Sequence, residues 1–423
     1  MPLFSYLESH YKDKLQADFL EELFCENLAH VIEGKVQVVL YGAGSAGREL
    51  VECLKIFNIA IVAFSDSNTS LYGSELEGVP ILSLDEVMAK FPDAIFVISS
   101  NQFRQEIRLS LKDKGIKRIA YIKDKHQLFS YLQLYKWHYD FDFLKVNKDS
   151  LEAAYELLSD KQSIDLYKHR LVLLSSYPDY DLYKSYFDLF AGEIKNIEPD
   201  IFNVSKYTPN YESYLYFNND VIELGDNEVL IDAGAFDGDS AIEFIKACDR
   251  QGGSASHVFC IEADTKNFEK LRTNTSGNSK ISLINKGLWS SITTLQFASS
   301  DNTFLTESRI VEDSIEMNYL HNCVDADNKI ETVTIDDYFV DKGKCVSFIK
   351  MDIEGAEVEA IKGAALTIKK YRPQLAISVY HKKQDIFEIP LLLKSICPEY
   401  RFYLRQFSEH LSETVLLAKV ESI

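Results

Sequence analysis

Most of the side chains suited to chemistry fall in two short segments. Lys350, Asp352, Glu354 and Glu357 lie within FIKMDIEGAE, and His381 closes LAISVYH. An unperturbed imidazole titrates at roughly 6.5, so a histidine among carboxylates is suited to accept a hydroxyl proton. His381 is the first candidate for a general base. Asp352 is the second, either orienting that ring or holding an acceptor diol. Glu354 and Glu357 would bind hydroxyl groups, although an acid at the position of Glu357 also favours a helix start through the dipole. Lys350 would keep the acids ionised. If the strand pattern persists through this segment, Lys350, Asp352 and Glu354 share one side of it. The three carboxylates and the histidine could also ligate a divalent cation that polarises a hydroxyl. Hydroxyl recognition accounts for the acids without one, and no metal is expected.

Two glycine loops have opposite electrostatics. DAGAFDGDS contains Asp232, Gly234, Phe236, Asp237, Gly238 and Asp239, three of them carboxylates, and no base. Such a turn opposes a pyrophosphate. It suits a ligand carrying an ammonium and a sulfonium, the charges that S-adenosylmethionine presents. Glu262, followed by Ala263 in FCIEAD, is placed to accept two hydrogen bonds from a ribose diol. Lys286, Gly287 and Trp289 in INKGLW are candidates to lie beside an adenine, and Trp289 serves equally well as a core aromatic. The other loop, YGAGSAGREL, holds Gly42, Gly44 and Gly47, with Arg48 after it and Asp66 ending the next apolar run. Glycines there allow a tight turn and close approach of a ligand, and a helix N-terminus offers N–H groups to an anion. Asp66 stands where a ribose-binding acid belongs. A nucleotide, a nucleotide-sugar or a dinucleotide would fit, as would a bare turn. No Tyr-x-x-x-Lys hydride-transfer pair accompanies this loop.

The elements that must position these residues alternate between strand and helix. Residues 1–35 read as an amphipathic helical cap, with Leu15, Phe19, Leu23 and Phe24 at helical spacing. Residues 36–125 read as a small Rossmann-like parallel sheet built from VQVVLYG, IAIVAFSD, AIFVISS and IKRIAYI. Residues 126–225 form an aromatic-rich helical bridge, suited to packing, sugar stacking or self-association into a homo-oligomer. Residues 226–423 alternate again, through EVLIDAGAFDG, HVFCIEAD, ISLINKGLW, TTLQFA, CVSFIKMDIEGAE and QLAISVYH. RFYLRQF and TVLLAK would close the sheet as an antiparallel pair. The expected class is α/β, with about seven strands in the second sheet. Asp336 and Asp337 in TIDDYF are expected to anchor a loop.

Composition narrows the partners. The 423 residues carry 45 basic and 65 acidic side chains, a net charge of −20. That surface disfavours nucleic acid and anionic membranes. No apolar run is long enough for a membrane helix, and the first residues lack a secretory core. The seven cysteines contain no C-x-x-C pair and read as reduced thiols of a cytoplasmic protein.

From about residue 211 to the end, the chain resembles the FkbM-type S-adenosylmethionine-dependent methyltransferases. The resemblance rests on IDAGAFDGDSAIEF, FCIEAD, INKGLW, TVTIDDYF and FIKMDIEGAEVEAIKGA, with the D-x-E-G-x-E stretch the most specific. It implies a Rossmann-like methyltransferase fold, S-adenosylmethionine as cofactor, and O-methylation of a sugar hydroxyl in glycan, polysaccharide or glycolipid biosynthesis. The glycine loop reads GAFDG where GAN-x-G is frequent in the family, which leaves its cofactor contacts open. The first block is similar to small Rossmann-like domains found beside sugar-modifying enzymes. Two other functions are compatible with these residues. One is an NAD(P)- or nucleotide-sugar-dependent oxidoreductase or epimerase centred on Gly42 to Gly47. The other is a non-catalytic ligand-binding assembly protein.

Overall fold

Six strands form the first sheet: β1 (Val38–Tyr41), β2 (Ile61–Ser65), β3 (Glu75–Leu76), β4 (Val79–Leu82), β5 (Ile95–Ile98) and β6 (Ile119–Ala120). They are ordered β3-β4-β2-β1-β5-β6, and every pairing is parallel except β3 with β4. In this computed structural model the described residues are 2–10, 18–100, 103–121, 138–139, 141–176, 180–190, 211–298, 309–310, 329–340, 345–408 and 411–421. Both faces of the sheet are covered, as a parallel sheet requires. Val38, Leu40, Ile95 and Val97 enter one apolar cluster, while Val39, Phe96 and Ile98 enter another. The β3–β4 hairpin is absent from the sequence reading. Its two-residue turn, Glu77–Gly78, has positive φ at both positions, the geometry that matches strand twist.

The N-terminal cap divides. Leu20, Leu23 and Phe24 of helix Asp18–Phe24 pack into the first sheet's core. Helix Leu3–His10 instead buries Leu3, Phe4 and Leu7 against helices Lys148–Glu156 and Lys161–Ser175 of the bridge. Leu15 lies outside the described residues.

The second αβ region contains β7 (Glu228–Ala233), β8 (Ala255–Ile261), β9 (Ile281–Ile284), β10 (Gly287–Leu288), β11 (Thr294–Ala298), β12 (Arg309–Ile310), β13 (Lys329–Val333), β14 (Phe348–Met351), β15 (Gln374–Ser378), β16 (Arg401–Gln406) and β17 (Thr414–Lys419). Seven of them form one sheet, ordered β16-β17-β15-β14-β7-β8-β9. Its last two strands are the expected antiparallel pair, with β17 inserted between β15 and β16. The run ISLINKGLW does not continue as one strand. Asn285 turns its amide to the Glu262 and Ala263 carbonyls, β9 ends, and β10 joins a separate four-stranded sheet with β11, β12 and β13.

Side chains alternate across the seven-stranded sheet with period two. Val229, Ile231, Ile349, Met351, Leu375 and Ile377 face one core, while Leu230, Cys260, Phe348, Ala376 and Leu417 face the other. Bridge helices cover both faces. Tyr139, Tyr167, Tyr183 and Tyr186 are buried on the first, and helix Tyr211–Phe217 packs on the second. These rings are consumed by packing within the chain. The aromatic runs YLQLYKW and YTPN lie outside the described residues. The bridge is also tied to edge strand β16: Ser159 N–H donates to the Phe402 carbonyl at 2.9 Å, and Arg405 pairs with Asp160 and Asp220 at 2.7 and 2.6 Å. Among the described residues no helix is long and apolar enough to cross a membrane.

Candidate active site

Strand register builds the first part of the site. Lys350 of β14 sits directly beside Asp232 of β7, and both side chains point to the same face. Both are buried, and the ion pair between them is long, at 3.4 Å. Lys350 Nζ donates to the Gly234 carbonyl at 2.8 Å and lies 5.6 Å from the centre of the Tyr216 ring. Burial disfavours a charged Lys350, but Asp232 and Asp352 outweigh it and hold its pKa above the ordinary value. Burial pushes Asp232 up to about 6, with Lys350 opposing the shift. Neither Asp232 oxygen has a hydrogen-bond partner among the described residues.

The acidic turn follows β7. Gly234 has φ 75°, and a Cβ there would overlap the carbonyl oxygen of Asp352. Phe236 also has positive φ, at 45°, and its half-exposed ring faces outward with Lys270 Nζ 5.1 Å from its centre. Glu262 holds the turn in place: its carboxylate accepts from Phe236 N–H at 2.9 Å and from Asp264 N–H at 2.8 Å. Burial is the main cause of its pKa rising to about 7. Two of its roughly four lone-pair positions remain for other donors. Asp237 is raised by burial and by Asp239, and Asp239 accepts from Ser213 Oγ at 2.6 Å. Gly238, at φ 92°, opens helix Asp239–Arg250. Ala263 lies beside this turn, its carbonyl facing Asn285. Lys286 is ion-paired with Glu331, Gly287 is buried in β10, and Trp289 donates its N–H to the Val333 carbonyl at 3.1 Å.

The second part of the site forms beyond β14 and β15. The strand ends at Met351, so the pleat does not place Asp352 and Glu354 on a shared side. A turn does so instead, with Glu354 at φ 55° and Gly355 at φ 96°. His381 Nε2 lies 3.4 Å from Asp352 Oδ1 and 3.2 Å from Glu354 Oε2, and Nδ1 lies 2.9 Å from Glu357 Oε1. Burial works against a charged ring, but Glu357 and Glu354 outweigh it and raise the His381 pKa well above its usual value. These carboxylates favour the protonated ring. A ring so placed is better suited to orient Asp352, Glu354 and Glu357 than the unperturbed imidazole of the sequence reading.

Several partners have no local sequence signal. Tyr216 Oη donates to Glu413 Oε2 at 2.8 Å and reaches Asp352 Oδ2 at 3.5 Å. Tyr380 Oη donates to Glu413 Oε1 at 3.1 Å and reaches Asp352 Oδ1 at 3.4 Å. Asp385, beside Glu357, is pushed up to about 7 by burial. Only Tyr380, the neighbour of His381, was within reach of a motif-based reading. Asp336 caps helix Ala365–Tyr371 by accepting from Leu366 and Thr367 N–H, and Asp337 is bound by Thr334.

The first glycine loop belongs to the other sheet. Gly42 has φ 112°, Gly44 precedes helix Ser45–Ile56, and a Cβ on Gly47 would overlap the Gly42 carbonyl. Asp66 points into this loop and accepts from Ala43 N–H at 2.7 Å and Asn68 N–H at 2.8 Å. Arg48 pairs with Glu77 at 2.6 Å.

The strand order, the terminal antiparallel pair and a site at the carboxyl ends of β7, β8, β14 and β15 define a Rossmann-like methyltransferase fold. Residues 232–410 match the model of the methyltransferase FkbM domain, and residues 34–121 match that of a C2185-like N-terminal domain. Residues 232–410 thus carry a methyltransferase FkbM domain, and a small Rossmann-like domain precedes it. A structure of methyltransferase FkbM from Methylobacillus flagellatus KT aligns over 98% of this chain and 98% of its own, at 20% identity and a TM-score of 0.53. Fibrillarin from Aeropyrum pernix, in complex with natively bound S-adenosyl-L-methionine, aligns over 50% of this chain and 76% of its own, at 10% identity and a TM-score of 0.27. UDP-D-quinovosamine 4-dehydrogenase from Vibrio fischeri aligns over 22% of this chain and 82% of its own, at 22% identity and a TM-score of 0.20. Neither of these last two scores supports a functional comparison. No curated protein matches the chain.

Proposed function

We propose that this protein is an S-adenosylmethionine-dependent O-methyltransferase acting on a sugar hydroxyl in the assembly of a glycan, polysaccharide or glycolipid, in the cytoplasm. One observation carries the reading: the acidic turn and the His381 cluster meet backbone to backbone at Gly234 and Asp352, so a cationic donor and a hydroxyl acceptor would share one site. The donor fits the residues present. Asp232 offers two buried oxygens that lack a well-directed hydrogen bond among the described residues, and the turn's own residues include three carboxylates against the single Lys350 that packs beneath it. Asp232, Gly234, Phe236, Asp237, Gly238, Glu262, Ala263, Lys286 and Gly287 would hold it, with Glu262 receiving the ribose hydroxyls.

When bound, the donor supplies a methyl group on a sulfonium: the new O–CH3 bond forms as the S–CH3 bond breaks, leaving a neutral thioether. The residues of this chain position the hydroxyl in line and take its proton. Positioning alone contributes much of the acceleration in such reactions. Asp352 accepts the proton. His381 orients Asp352, Glu354 holds a neighbouring hydroxyl, and Lys350 keeps the adjoining acids ionised.

Calorimetry of the full chain with S-adenosylhomocysteine and with NAD tests this reading. Binding of S-adenosylhomocysteine that is lost in Asp232→Ala or Glu262→Ala supports it. Binding of NAD alone would move the activity to the Gly42–Gly47 loop.

A further inference from the structure

We infer that Asp352, Glu357 and His381 form a binding site for one divalent metal ion. Each offers a donor atom, and the three atoms lie within 4.8 Å of one another. Donors that share an ion at about 2.1 Å are at most about 4.2 Å apart, so closure by roughly half an ångström completes the set. The elements holding them are rigid: Asp352 follows β14, His381 follows β15, and Glu357 begins helix Glu357–Lys362.

The second observation is independent of this acidic grouping. The His381 side chain is only 7% exposed, and neither ring nitrogen has a hydrogen bond of acceptable direction among the described residues. Glu357 is fully buried, and its Oε2 likewise has no partner among them. Buried polar atoms are normally satisfied, so a cluster whose ring nitrogens meet only carboxylates in poor direction, and whose Glu357 Oε2 has no partner among the described residues, is arranged for a cation. Its outer contacts match what metal ligands receive. Ile353 N–H donates to Glu357 Oε1 at 2.8 Å, and Tyr216 and Tyr380 hold the Asp352 carboxylate from outside. Two carboxylates and one imidazole suit Mn2+ and its neighbours in the first transition row. Binding would displace the proton that the carboxylates favour on His381. One consequence rests on the methyl-transfer reading: the ion would take the acceptor's hydroxyl oxygen as a further ligand and lower its pKa, and Glu354, in place of the ligated Asp352, would accept the released proton.

The test uses the full chain, stripped with a chelator and titrated with Mn2+ while electron paramagnetic resonance reads the free ion. One ion per chain is expected. Affinity should fall at least tenfold in Asp352→Asn and in His381→Gln, and stay unchanged in Glu399→Gln, an exposed acid paired with Arg372 at the end of β15 opposite the cluster. Asp352 is only partly buried, so its variant keeps the test valid if the His381 variant fails to fold, as circular dichroism would reveal. Absence of Mn2+ binding, or equal affinity in all three variants, overturns the site. S-adenosylhomocysteine calorimetry on the same samples separates the two claims. Donor binding without Mn2+ binding refutes the metal site alone, and Mn2+ binding without donor binding leaves the metal site standing and refutes methyl transfer.

Discussion

Gly234 and Asp352 are packed so closely that no side chain fits between them: a Cβ on the glycine would occupy the position of the aspartate's carbonyl oxygen. Asp352 N–H in turn donates to the Ala233 carbonyl at 3.1 Å. The turn after β7 and the turn after β14 are therefore one mechanical unit, and the acidic loop cannot shift without moving the acid cluster.

Replacing Gly234 with alanine should be severe for two reasons, the overlap and a φ of 75°. Left-handed backbone alone costs a non-glycine residue about 1–2 kcal/mol. The variant should melt several degrees lower and bind S-adenosylhomocysteine at least tenfold more weakly. Unchanged melting and binding would show that the two turns are not rigidly joined.

Lys350 and Asp232 should behave as a buried pair. Removing one partner leaves an uncompensated buried charge, which typically costs about 3–5 kcal/mol, while replacing both with apolar groups can be neutral. Lys350→Met should lower stability in urea by that order. The double variant Lys350→Met/Asp232→Leu should recover most of the loss while abolishing donor binding.

Stability should fall as pH rises through the weakly acidic range. Asp232 moves from 3.8 to about 6 on folding, and Glu262 from 4.5 to about 7. Between the unfolded and folded values the native state binds more protons at these groups than the unfolded chain does, so unfolding free energy declines with pH there. The loss is complete about one unit above each folded value, at about pH 7 for Asp232 and about pH 8 for Glu262. Melting curves at pH 5 and pH 7.5 should differ less for Glu262→Gln than for the unaltered protein. An equal or larger difference would contradict the assignment.

Arg405, buried and paired with Asp160 of the bridge and Asp220, joins the bridge to the edge of the large sheet. Arg405→Met should destabilise by about 1–2 kcal/mol, less than a fully buried pair, because Asp160 and Asp220 are part exposed and water solvates the charge left behind. Its effect should appear in urea unfolding, with little change in donor affinity at temperatures where the chain stays folded.

Gly47 offers the converse test. A Cβ there would overlap the Gly42 carbonyl in the first glycine loop. Gly47→Ala should destabilise the first sheet and leave S-adenosylhomocysteine binding within twofold of its original value. A large loss of binding would mean that the donor occupies the first loop.

Much of the architecture is legible from spacing. Apolar runs ended by glycine became β1 and β7, the run before FCIEAD's acids became β8, and the terminal pair became β16 and β17. The turn glycines and acids lie where motif spacing puts them, because a strand, a turn and a helix start are set by neighbours in sequence. The β3–β4 hairpin was missed because its strands are too short to show a period. The break inside ISLINKGLW was missed because it depends on an asparagine reaching two carbonyls of another turn.

Residue order alone thus determined the α/β class, the two glycine loops with their opposite charge, and the identity of the acids and histidine available for chemistry. The tertiary structure decided which of them meet. Tyr216, Tyr380 and Glu413 come from distant parts of the chain and converge on Asp352 only after the sheet is closed. It also decided their protonation. His381 is pulled toward its charged form by carboxylates that folding gathers around it, and burial pulls Asp232 and Glu262 toward their neutral forms. The physical reason is one of range: backbone preference acts between near neighbours, whereas desolvation and Coulomb interaction depend on distances that exist only in the folded chain.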